Sequence, residues 1–406
     1  MQVEVYVSLD PLKALGLAHP KKSNEDLFLA LTLTSTPLNQ RSKTMSQVEV
    51  NDFHKSRSRI LLPARVTSCL VCCSLFFFSA ALGMTRPSSG KSDPRDQQWK
   101  LAIDPHKVIG VQGCEKCHLA EIQTWKRTPH NDTFLTLHRK PEAQKIADKL
   151  GIANFKSDSN CIQCHYTMGQ VENRLEAIAG VSCESCHGAA KDWVAVHNDY
   201  GGPNVTRAQE SPDHRNVRLA ASIQLGMRNP VNVYLVAQSC YRCHTVPDEK
   251  LVNIGGHIAG SLDFELVSWS QGTVRHNFVR TDGKTNAEEA PARLRTLFVA
   301  GMIADLEFSL RATSQATEKS TFGFTSAQRT ARSIERLKSA QAKLNHPILT
   351  ETINVAESVA LKLNNREQLE QAANKINEMG VRFGATVTGE ELVAIDSFVP
   401  PKNKWK

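Results

Sequence analysis

The sequence predicts a mainly α-helical chain in two parts: a loop-rich stretch built round four short cysteine–histidine boxes, followed by a helical module of different character. Three observations carry this. The boxes recur between Cys114 and His244. From Ala290 to Asp396 the apolar residues fall at helical spacing instead. The aromatic content is 6% of 406 residues, low for so long a chain, so apolar surface must come partly from something other than side chains.

The boxes are Cys114-Glu-Lys-Cys117-His118, Cys161-Ile-Gln-Cys164-His165, Cys183-Glu-Ser-Cys186-His187 and Cys240-Tyr-Arg-Cys243-His244. C-x-x-C-H is the attachment signature of c-type haem: two thiols add across the two porphyrin vinyl groups, and the following His is held against the iron. Paired cysteines also serve zinc ribbons and thioredoxin-like sites. The fifth position decides between them. His is 14 of 406 residues, so a His after all four pairs by chance is roughly a one-in-a-million event. The expectation is four covalently bound c-type haems, each with its iron.

Taken in order, residues 1–44 have no sustained period and read as an over-extended N-terminus before Met45. Residues 45–83 read as a signal peptide. Arg57, Arg59 and Arg65 precede the apolar run from Val66 to Leu82, and small residues near Gly83 offer a cleavage site. An uncleaved membrane anchor is the alternative. Export fits the chemistry, since covalent haem attachment in bacteria takes place outside the cytoplasmic membrane, and the expected location is periplasmic. Cys69, Cys72 and Cys73 fall in this presequence, leaving only box cysteines beyond it.

Residues 84–105 form a polar Pro/Ser-rich linker, and 106–289 the tetrahaem domain. In that domain Glu115 to Lys126 reads as a helix interrupted by Pro129, Ala143 to Leu150 as another ended by Gly151, and Asn198 to Asn229 as an irregular surface loop. Residues 290–406 are a haem-free module. Its helices run from Leu294 to Leu310, from Ser326 (as N-cap) to Leu344 with Pro347 beyond, from Leu349 to Leu363, and from Arg366 to a stop at Gly380. A short one follows from Gly389 to Phe398.

Each haem has a sixth position, and a second His there gives a low-spin iron suited to electron transfer. The candidates are His130, His197, His257 and His276. His106 and His138 are weaker, His214 belongs to an exposed loop, His346 is structural at a helix end, and Met168 is packing. Glu184, beside a box, reads as a helix-surface group.

The string Gly113-Cys-x-x-Cys-His118, then Trp125 and His130, resembles the first-haem segment of the tetrahaem cytochrome c-554 family. Gly180-Val-Ser-Cys183-Glu-Ser-Cys186-His187-Gly188 is similar to that family's third box, and His197 falls where the family places a distal ligand. The likeness covers roughly residues 110–245. It implies an electron carrier that serves hydroxylamine oxidoreductase in ammonia-oxidising bacteria, with three bis-His haems. The second haem in sequence is then open, which assigns His165 to an open site. The helical module departs from the family's short members.

The formal charge is +8, of which residues 1–83 carry nine Lys/Arg and six Asp/Glu, leaving +5. Four haems add about eight propionate charges against about four ferric ones, so nucleic acid is not an expected partner. No phosphate loop, G-x-S-x-G elbow or H-E-x-x-H is present. The leading expectation is a tetrahaem cytochrome passing single electrons between redox partner proteins. The alternatives are an oxidoreductase acting on a small nitrogen compound at a five-coordinate haem, and a subunit of a membrane-associated redox complex docked through the helical module.

Overall fold

In the computed structural model, residues 101–406 are described; the readings for 1–44, 45–83 and most of the linker lie outside them. The first box begins α1 (Gln112–Trp125), which leaves helical geometry at His118 (φ −119°, ψ 36°). The box turn is thereby set off from the amphipathic turns after it. Pro129 does not merely interrupt this helix. It occupies the first turn of α2 (Pro129–Thr136), where no amide is needed, and Thr128 caps the start by accepting from Asn131 N. His130 is fixed on that first turn. Next comes α3 (Pro141–Leu150), closed by Gly151 as expected.

Asp158 caps α4 (Ser159–His165), which is the second box. A feature the sequence reading missed follows: an antiparallel hairpin, β1 (Thr167–Val171) and β2 (Arg174–Ala179), leads directly to the third box. That box is α5 (Cys183–His187), begun by a capping box in which Ser182 and Ser185 satisfy each other's backbone amides. His197 ends the short α6 (Val194–His197).

The stretch expected to be irregular holds a thirteen-residue helix, α7 (Pro212–Gln224). Its start signal is conventional, Ser211 as cap and Pro212 at the first turn, but it sits in a Gly/Pro-rich setting that masks it. His214 is therefore helical and half-buried rather than looped out. The fourth box is the last turn of α8 (Val233–His244), with α9 (Glu249–Asn253) and α10 (Leu266–Ser270) beyond it.

Four long helices complete the chain: α11 (Pro291–Ser314), α12 (Thr321–Leu344), α13 (Pro347–Glu357) and α14 (Arg366–Thr386), then a 3-10 segment, Glu390–Phe398. The fold is mainly α, as expected. Several boundaries differ from the sequence reading. α13 ends at Glu357 and does not reach Leu363. Ser320, not Ser326, precedes α12; Ser326 is buried inside it and its carbonyl accepts from Thr330 Oγ1 at 2.9 Å. Gly380 does not stop α14. A Cβ there would lie 2.1 Å from Tyr234 Cζ, so glycine is required for α14 to cross α8 closely.

The main core lies here. Every residue of α11 from Arg295 to Ser314 is buried, and the helix packs against α8, α10, α12 and α14. Its buried charges are paired in place: Glu307 with Arg311 at 2.7 Å, and Asp305 with Arg329 at 2.7 Å. The helix that ends in the fourth box thus shares one hydrophobic core with the C-terminal helices, through Val233, Tyr234, Ala237 and Tyr241. Among the described residues no helix is long and apolar enough to cross a membrane.

Candidate haem-binding site

The stretch containing the first three boxes has little side-chain core. Between residues 101 and 232 the buried apolar side chains are Ile122, Ala147, Tyr166, Ala190 and Trp193, while Leu119, beside the first box histidine, is 53% exposed. Such a sparse interior cannot offset the entropy of ordering the chain without additional apolar surface.

The four boxes abut. Cys114 and Cys183 come within hydrogen-bonding reach of each other, and so do Cys164 and Cys243. The third and fourth boxes are joined by Ser239 Oγ donating to Cys186 O at 2.8 Å and Arg242 Nη2 donating to Ser185 O at 3.1 Å. Arg242 Nη1 also donates to Gln163 O at 3.4 Å, touching the second box. Contact therefore runs from first box to third, to fourth, to second, not in sequence order.

Each box histidine faces one further imidazole. Ring centres are 6.4 Å apart for His118 and His197, 6.4 Å for His165 and His257, 6.2 Å for His187 and His276, and 6.4 Å for His244 and His130. Two imidazoles sharing one metal, with metal–nitrogen bonds of about 2.0–2.1 Å and ring centres set back roughly 1.1 Å more, have centres about 6.2–6.4 Å apart. The spacing fits an iron between each pair. Among the described residues no three His, Cys, Asp or Glu side chains converge as a zinc site would need. Donors arriving in twos suit a metal whose other four ligands come with the porphyrin.

The outer nitrogens fit as well. Nδ1 of His197 lies 2.5 Å from Val194 O, that of His257 2.8 Å from Ile258 O, that of His276 2.7 Å from Val274 O, and that of His187 3.2 Å from Arg228 O. An Nδ1–H donated to a carbonyl leaves Nε2 unprotonated, the form that binds metal. Burial also favours the neutral form of His165, His187 and His244. Each is pushed down to about 4, first by loss of solvent and then by the facing imidazole. His130 and His197 are lowered by burial too.

The other histidines are not so placed. His106 Nδ1 meets Gln170 at the surface, His214 is held by Glu210, and His346 caps α13 by accepting from Ile348 N. His138 has a buried Nδ1 with no protein partner. The resemblance implied an open site at His165; the ring of His257 stands opposite it instead. Sequence gave no signal for this pairing, because His257 lies in a loop 92 positions along the chain.

Glu184 also differs from its reading. It is 1% exposed and accepts three backbone amides, Ile109 at 3.0 Å, Gly110 at 2.9 Å and Ala190 at 2.8 Å. It ties the lead-in of the first box to the third. Gly180 is as constrained: a Cβ there would lie 2.3 Å from His130 O, the carbonyl that accepts from Val181 N at 3.0 Å. Trp125 Nε1 donates to Val181 O at 2.8 Å, so the residues carrying the resemblance form one contact.

These features define a c-type cytochrome with covalently bound haem iron. The family profile described as "Cytochrome c554 and c-prime" matches residues 113–188, which places a cytochrome c-554-type segment in this chain. Cytochrome c-554 of Nitrosomonas europaea is 32% identical over 111 residues, covering 25% of this chain and 47% of that protein. The aligned part thus spans about half the length of this curated relative. No solved structure matches.

Proposed function

We propose that this protein is a periplasmic tetrahaem cytochrome that passes single electrons between redox partner proteins. The observation that carries the reading is the contiguity of the four boxes, because electron tunnelling needs closely spaced centres. Bound haem supplies a reversible one-electron iron couple.

The chain's residues do the rest. Each pair of box cysteines would hold a porphyrin, and the facing pairs His118 with His197, His187 with His276 and His244 with His130 would supply imidazole ligands to its iron. Fixed imidazoles on both sides keep the coordination unchanged between oxidation states, which favours fast transfer. Arg228 and Arg242 lie half-buried where the third and fourth boxes meet; loss of solvent, and then Arg242, pushes Arg228 down to about 10. Two guanidinium groups there complement porphyrin carboxylates and favour the reduced state, since positive charge stabilises an added electron. Arg242 Nε and Arg275 Nε are buried without protein acceptors, free for such carboxylates. The order of box contacts supports a path from the first haem to the third, the fourth and the second.

The test is intact mass and haem-iron stoichiometry of the exported protein, with a redox titration. The reading expects four haem adducts and one-electron steps. A colourless product with the mass of the bare polypeptide would overturn it.

A further inference from the structure

We infer that His257 is the sixth ligand of the haem at the second box, and that the C-terminal helices hold it there, so that this protein has no haem open to small ligands. The inference rests on the haem-bearing reading above and adds a ligand and its support.

His257 faces His165 at 6.4 Å, within the 6.2–6.4 Å of the other three pairs, and its Nδ1 is engaged by Ile258 O at 2.8 Å. What places it is the end of α9. His257 N donates to Leu251 O at 3.2 Å and Gly256 N to Val252 O at 3.1 Å, with Gly256 in the left-handed region (φ +79°). This reversal turns the chain off the helix and leaves His257 at a defined angle.

α9 is held chiefly by the C-terminal helices. It is clamped at both ends by the turn between α11 and α12. The Glu249 carboxylate accepts Thr317 N at 3.0 Å, Thr317 Oγ1 at 2.6 Å and Glu318 N at 3.1 Å. Asn253 Oδ1 accepts Phe322 N at 3.0 Å. Val252 is buried between these anchors with Ala312, Ala316 and Phe322. The connection is a short rigid lever: helical module, α9, reversed turn, imidazole. Glu249 and Asn253 are positioning residues, and His257 is the ligand.

The test is paramagnetic resonance and visible spectroscopy of the oxidised, fully loaded protein. The native protein should show only low-spin haem and no spectral shift with cyanide. His257→Gly should turn one haem in four high-spin and cyanide-responsive, and added imidazole should reverse this. Glu249→Ala should give a partial high-spin signal from that same quarter, with the other three unchanged, and Glu249→Gln a smaller one. A native high-spin haem at full loading would overturn the inference while leaving the four-haem reading intact. So would a His257→Gly protein with four low-spin haems. Absence of haem from the exported protein would overturn both. Should His257→Gly fail to mature, the native spectrum alone still decides.

Discussion

Tyr234 donates its hydroxyl to Glu307 Oε2 at 2.5 Å, and so binds the helix that ends in the fourth box to the centre of α11. The same oxygen accepts from Gln238 at 2.9 Å, and Oε1 takes Arg311 at 2.7 and 2.9 Å. Loss of the carboxylate removes the acceptor of Arg311 Nε and Nη2 inside the core, while Arg311 Nη1 keeps Asn374 Oδ1 at 3.0 Å. Glu307→Ala should cost about 3–5 kcal/mol, as for a broken buried ion pair. Tyr234→Phe should cost about 1 kcal/mol, since Gln238 and Arg311 still serve the carboxylate. Urea melts of the holoproteins would check both, and equal costs would contradict this account.

The same crossing should be intolerant of a methyl group. Gly380→Ala puts a carbon 2.1–2.5 Å from three atoms of the Tyr234 ring, which is itself fully buried. Overpacking of about 1–3 kcal/mol is expected. Tyr234→Ala should relieve the clash, so the two substitutions combined should cost less than the sum of their separate effects.

Cutting the chain after Thr285 tests the relation between its two parts more broadly. α8 would lose the partners of Val233, Tyr234, Ala237 and Tyr241, and α9 the anchors of Glu249 and Asn253. The truncated protein should retain the first and third boxes' haems more readily than the fourth's. Mass spectrometry of proteolytic haem peptides would measure this. Full and equal loading at all four boxes would show that the C-terminal helices are dispensable.

How far the sequence could be read follows from which interactions are local. The boxes were legible because covalent attachment demands three residues within five positions. His130 and His197 were reachable through the resemblance to the cytochrome c-554 family. His257 and His276 were nameable only as spare histidines: the contacts that aim them come from α9's turn and from Asn277, whose backbone N donates to Asn286 Oδ1 at 2.8 Å, nine positions along the chain. Gly380 was misread because a glycine that ends a helix and one that admits a neighbouring ring look alike in sequence. Glu184 looked like surface because its three amide donors lie on segments before and after its own helix.

Glu184 lends itself to a graded substitution. Burial pushes its carboxyl above the usual range, while the amides of Ile109, Ala190 and Gly110 pull it back. Glu184→Gln keeps one oxygen but turns an NH2 toward an amide, leaving one donor unsatisfied at about 1–3 kcal/mol. Glu184→Ala strands all three and should cost more. Thermal melts would rank wild type, Gln and Ala in that order.

The acid limb of the stability profile should carry a contribution from Glu210. Its carboxylate accepts Arg218 Nε and Nη2, both at 2.6 Å, and pairs with His214 at 2.8 Å. Arg218 in turn donates to the carbonyl of His197 at 2.5 Å, so the pair steadies the ring facing the first box. Arg218 foremost holds Glu210 down to about 2, below the ordinary value of about 4.3. A depressed carboxyl stabilises the fold above its unfolded pKa, and that share is lost as pH falls from about 4.5 toward 2. The stability gap between wild type and Glu210→Gln should therefore be constant above about pH 5 and should close below it. Parallel denaturant melts from pH 7 to 2.5 would test this; a gap that persists undiminished at pH 2.5 would mean that Glu210 acts by shape and not by charge.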